Sequence, residues 1–160
     1  MWFNKNTTMS ITSNTAEVLN DLIKINNDRI EGYQKAIEQL ESTDRDLNNL
    51  FNTFIAQSQE LKSALENEVS KLGGEVEDGT TTSGKIYRAW MNVKSLFSIK
   101  DRETVLDNCE YGEDAAQKAY RSAEDTEEIL PNVKLMITNQ KFDLKSSHDK
   151  VKVLRDSEKQ

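Results

Sequence analysis

The chain has 160 residues, of which 36% are hydrophobic and 31% charged, with a formal net charge of −7. That length fits one domain of ordinary size, and a single proline with six glycines excludes Pro-rich linkers and speaks against a loop-rich all-β fold. The apolar content is modest, but long amphipathic helices need only about three apolar positions in seven, and a pI near 4.9 leaves no broad basic face for nucleic acid.

Cys109 is the only cysteine, so no internal disulfide can form and a reduced, cytoplasmic setting is expected. No apolar run approaches the roughly 18 residues of a membrane span. Residues 1–13 lack an apolar stretch of signal-peptide length and are expected to form a disordered tail before a single domain over 14–156. Charge is unevenly spread along the chain. Residues 81–100 carry four basic and no acidic side chains, while 43–80 and 101–126 each carry three basic and eight acidic ones.

Asn14 followed by Glu17 reads as a capping box, and Leu19, Leu22, Ile23, Ile30, Tyr33, Ile37 and Leu40 recur at helical spacing. This predicts a first helix over about 15–41. Ser42-Thr43-Asp44 offers a turn and a new N-cap. Leu47, Phe51, Phe54, Leu61, Leu65, Val69 and Leu72 then define a second helix over about 43–72, ended by Gly73-Gly74. So short a break makes the pair an antiparallel hairpin.

After a polar loop, Ile86, Trp90, Val93 and Phe97 mark a shorter helix over about 83–98. A third long helix over 101–125 is carried by Val105, Leu106, Cys109, Ala116, Tyr120 and Ala123, and a fourth over 131–156 begins at Pro131, where the missing N–H costs nothing. Val133, Ile137, Leu144, His148, Val151 and Leu154 form its stripe. The second half also echoes the first at an offset of 83 residues: Gln34-Lys35-Ala36 falls on Gln117-Lys118-Ala119, and Leu61-Lys62-Ser63 on Leu144-Lys145-Ser146. The pattern predicts an all-α, up-down four-helix bundle built from a duplicated hairpin, with 73–100 as the crossover.

Several stretches together resemble an uncharacterised bacterial four-helix-bundle family of the ferritin-like superfamily. They are Glu17 to Ile23, Asp28 to Tyr33 with Ala36, Leu72-Gly73-Gly74, Arg88-Ala89-Trp90, Cys109-Glu110 to Glu113-Asp114 with Tyr120, and His148 to Val151 with Leu154-Arg155. The resemblance implies a ferritin-like bundle and no particular activity. Ferritin-like di-iron sites set one Glu on each of two helices and Glu-x-x-His on the other two. Here His148 is the only histidine, Lys145 stands three residues before it, and its repeat mate is Leu65. No cofactor is therefore expected. A degenerate metal site around Glu113 and His148, for iron or another divalent ion, is the alternative. The expected content of the bundle centre is a hydrogen-bonded polar cluster of Asn26, Ser58, Glu113, Gln140 and His148.

A nucleophilic Cys109 would need His148 as its base, and neither GxGxxG, Walker nor CxxC sequences occur. In the basic segment, Lys85, Arg88, Trp90, Lys94 and Phe97 combine an apolar side with a positive one, a pattern that suits docking to a protein partner or to a second copy. Membrane contact is not expected. The function these observations favour is non-enzymatic: a cytoplasmic helical bundle acting through self-association or partner binding.

Overall fold

Apolar residues spaced three and four apart become the inner faces of four long helices. The computed structural model describes residues 5–76, 86 and 101–158, with side chains from Ile11 onward. The helices are α1 (Lys5–Glu38), α2 (Arg45–Lys71), α3 (Arg102–Glu124) and α4 (Pro131–Glu158), and no strand occurs among the described residues. The expected crossover helix over 83–98 lies outside the described residues except for Ile86, which is helical and buried.

Side-chain pairs between helices fix their directions. Asn26 meets Tyr120 and Arg29 meets Glu113, so α1 runs antiparallel to α3. Tyr120 meets Gln140, and Glu124 meets Thr138, which sets α3 against α4. Gln57 meets Ser147, and Gln140 bonds the Leu61 carbonyl, which sets α2 against α4. Consecutive helices alternate within each hairpin but not across the connection. Helices α2 and α3 run parallel, and residues 72–101 join opposite ends of the bundle. The up-down bundle with a crossover expected from the sequence thus takes the order up-down-down-up, which one long crossover produces.

At one end Arg102 gathers three elements. Its guanidinium reaches Asp44 at 2.9 Å, Asp46 at 2.7 Å and Glu158 at 2.6 Å. These partners raise its pKa, hydrogen bonding to Asp46 contributing most, and Arg102 in turn holds the Asp46 carboxyl below its ordinary value. At the other end the Thr15 hydroxyl donates to the Ile11 carbonyl and accepts from the Leu130 amide, tying α1 to the start of α4.

Helix ends differ from expectation in physically simple ways. Helix α1 starts at Lys5, so residues 5–13, expected to be disordered, belong to the helix. Asn14 then lies mid-helix and its amide reaches Glu128 across the end of the bundle instead of forming a capping box. Asp44 does precede α2, but its carboxylate accepts from the Glu41 amide and from Arg102 and makes no side-chain cap. Asp101 caps α3 as its position suggests, accepting from the Thr104 amide and hydroxyl. Gly73 takes φ +76°, with its amide on the Ser70 carbonyl and the Gly74 amide on that of Val69, both at 3.0 Å. This Schellman closure uses the left-handed conformation that glycine adopts at least cost.

Two apolar clusters fill the interior. One is built on Leu19, Leu22, Ile23, Leu65, Tyr120 and Ile137. The other holds Tyr33, Leu47, Phe51, Phe54, Leu106 and Val151. Burying each such side chain contributes about 1.5–3 kcal/mol. Tyr33 packs on Phe51 and Phe54, with ring centroids 5.2 and 5.3 Å away. Between the two clusters the core turns polar.

Candidate functional site

The polar layer arises because each helix places a hydrophilic residue in its apolar stripe at the same height. On α1 the run Leu22, Asn26, Arg29, Tyr33 and Ala36 steps by four, three, four and three, so all five face inward. Ser58 on α2, Glu113 on α3 and Gln140 on α4 complete the layer, all of them buried.

Two hydrogen-bonded groups result. In the first, the Tyr120 hydroxyl donates to Gln140 Oε1 at 2.7 Å and accepts from Asn26 Nδ2 at 2.9 Å. The Gln140 amide goes on to the Leu61 carbonyl, and the Asn26 amide is shared with that of Leu22. In the second, Arg29 Nε donates to Glu113 Oε1 at 2.6 Å, and its Nη1 donates to Ser58 Oγ at 2.7 Å and to the Phe54 carbonyl at 3.1 Å. The Tyr33 hydroxyl donates to the same Glu113 oxygen at 2.8 Å. The guanidinium also lies 5.2 Å from the Tyr33 ring centre and 5.4 Å from that of Phe54, a cation–π placement.

The ion pair is almost dry, with side chains only 4% and 2% exposed. Burial, the largest influence, works against the Arg29 charge, but Glu113 together with Tyr33 and Tyr120 outweighs it and the pKa is raised on balance. Burial, followed by the Glu113 charge, pushes Tyr33 and Cys109 well above their ordinary values, and burial also raises Tyr120. A protonated, enclosed thiol is a poor nucleophile. Cys109 therefore packs as a small apolar residue beside Tyr33.

Of the five residues expected in the central cluster, the structure brings Asn26, Ser58, Glu113 and Gln140 to one level and places His148 elsewhere. Its ring nitrogens face Asp114 and Asp149 at the edge of the α3–α4 hairpin. Positions 147 and 148 both fit the spacing from Leu144 to Val151, and Ser147 is the one that turns inward. The pairing of Glu113 with His148 as ligands is not assembled, nor is a Cys109–His148 dyad among the described residues. Arg29, Tyr33 and Tyr120 are the members that sequence reasoning did not place in the cluster. The residues expected to bind a partner, Lys85, Arg88, Trp90, Lys94 and Phe97, lie outside the described residues.

The donor set does not fit a di-iron centre. Such a centre takes about four carboxylates and two imidazoles from the bundle core. This layer offers one carboxylate, already neutralised by a guanidinium, with amide and hydroxyl neighbours. Glu113 Oε2, Arg29 Nη2 and Asn26 Oδ1 have no hydrogen-bond partner among the described residues, yet one spare carboxylate oxygen beside a cation is no ligand set.

Residues 14–126 match the family described as Domain of unknown function (DUF2383). The chain belongs to the DUF2383 family. The matched stretch covers α1 from Asn14 onward with all of α2 and α3, so it includes Asn26, Arg29, Tyr33, Ser58, Glu113 and Tyr120 of the polar layer. Gln140 on α4 lies beyond it. No curated protein matches the DUF2383 chain. No described helix is long and apolar enough to cross a membrane.

Proposed function

We propose that this protein is a non-enzymatic, ferritin-like bundle in which a buried ion pair stands where metal-binding bundles keep their ligands, and that it works by associating with a second copy of itself. The up-down-down-up order with one long connection supports the ferritin-like part. The single free, buried cysteine supports a cytoplasmic setting.

The observation that carries association is an apolar line on the outside of α4. Leu135, Phe142 and Val153 are 62%, 73% and 64% exposed. Their spacings of seven and eleven residues bring all three within about 20° of one helix face. Val153 also borders an α2–α4 groove of about 590 Å³ whose apolar lining includes Leu47, Leu50 and Leu154. Large apolar side chains aligned on a solvent face are a recurrent mark of interfaces.

Sedimentation velocity across micromolar to millimolar protein tests the reading. The expected result is a size that grows with concentration and reverts to monomer in Leu135→Glu/Phe142→Glu, with the helical content unchanged. Wild type that stays monomeric throughout, or assembly that survives the double substitution, contradicts it. Trp90→Ala asks in parallel whether the basic segment contributes to the same contact.

A further inference from the structure

At the edge of the α3–α4 hairpin, away from the polar layer, an imidazole meets carboxylates from two helices. Glu110 and Asp114 are one turn apart on α3, and His148 of α4 reaches between them. A ring nitrogen and one oxygen from each carboxylate all lie within 4.8 Å of one another. Glu110 is largely buried, His148 is partly covered, and Asp114 is open to solvent.

The surroundings of His148 favour a cation at this point. A neutral imidazole carries a single N–H. His148 Nδ1 sits 3.0 Å from Asp149 Oδ1, the natural acceptor for that proton. Nε2 is in close contact with the Asp114 carboxylate, an ion pair when that nitrogen carries a proton, and a metal ion at this point would take the place of that proton. One imidazole nitrogen and an oxygen from each of two carboxylates thus converge where a positive charge, proton or metal ion, is held between them. A carboxylate behind the ring is also the arrangement that fixes the tautomer of a metal-bound histidine and strengthens it as a ligand.

We propose that His148 Nε2, Asp114 and Glu110 form a mononuclear site for a divalent transition cation of the zinc type, with water filling the remaining positions. Bonds of about 2.1 Å require neighbouring ligand atoms about 3.0–3.4 Å apart, so the exposed Asp114 carboxylate, in closer contact with Nε2 than that, draws back to admit the ion. Arg155 is the resident competitor. Its Nη1 holds Glu110 Oε2, leaving the other oxygen for the ion, and it also contacts Asp107 at 3.8 Å and Asp156 at 2.7 Å. Lys145 neutralises Asp149 from the outer side at 2.9 Å. This site is independent of the association proposed above.

The test is a cobalt(II) titration of the untagged, metal-free full chain, read by visible absorption and by the imidazole proton resonances. His148 is the chain's only histidine, so those resonances report one residue. Saturable binding with loss of the His148 signals is expected, together with displacement of cobalt by zinc. His148→Ala abolishes it, and Asp149→Asn, which removes no ligand, weakens it by about 10–100-fold. Arg155→Gln, which frees Glu110, tightens it, whereas Arg155 acting only as a structural brace would leave affinity unchanged or lower it. Absence of saturable binding by wild type, equal binding by His148→Ala, or an Arg155→Gln variant that binds no more tightly overturns the proposal. Circular dichroism on each variant separates lost binding from lost folding.

Discussion

Glu113 shows how one buried charge dictates its neighbours. An ionised carboxylate in an apolar interior is tolerated only with a counter-charge and hydrogen bonds, and Arg29 and Tyr33 supply both through the same oxygen. The field of that carboxylate adds to burial in keeping Cys109 protonated. Cys109 is therefore expected to resist alkylation by iodoacetamide in the native chain and to react at the rate of an ordinary thiol once unfolded. Fast labelling of the folded protein would contradict this placement. Asn26, Ser58, Glu113 and Gln140 were legible in the sequence because polar residues interrupt apolar stripes there. Arg29 was not singled out, since an arginine on a helix is by habit a solvent residue. The signal was present all the same: Arg29 lies three residues after Asn26 and four before Tyr33, on one face, opposite a core carboxylate that needs a cation. His148 misled because steps of three and four from Leu144 serve Ser147 and His148 equally well.

Element boundaries depend on local backbone chemistry, and two glycines should respond to the same substitution with opposite signs. Gly73 occupies the left-handed region at φ +76°, so Gly73→Ala is expected to cost about 1–2 kcal/mol. Gly112 lies inside α3, where an added Cβ would meet nothing within 4 Å. There Gly112→Ala should stabilise by about 0.4–1 kcal/mol, because alanine loses less backbone freedom on folding. Urea unfolding of the two variants checks both signs, and two shifts in the same direction would contradict the assignment. Helix ends set by the backbone were more legible than ends assigned from side-chain caps. Pro131 and Gly73 act through their own backbones, so they could be read directly. Asp44 and Asn14 were read as caps, but partners far along the chain, Arg102 and Glu128, claim their side chains. Sequence spacing carries no information about such partners.

At the level of the whole molecule, two hairpins meet through α1 and α3, and the Arg29–Glu113 pair crosses that seam. Four helices and a long connection were legible from periodicity and loop lengths. The parallel course of α2 and α3 follows from what the connection spans, so it became visible only in three dimensions. The seam is polar, and removing one member of its pair leaves a buried charge without its partner, a loss of about 3–5 kcal/mol. A metal-held core would instead collapse when its ion is withdrawn. Thermal unfolding of the His148→Ala chain, in which the surface cation site is disabled, separates these cases in one experiment. Chelator is expected to leave its melting temperature unchanged, while adding Arg29→Met lowers it by roughly 10 °C or more. A melting temperature that falls with chelator and is indifferent to Arg29→Met would contradict the ion pair as the keystone of this bundle.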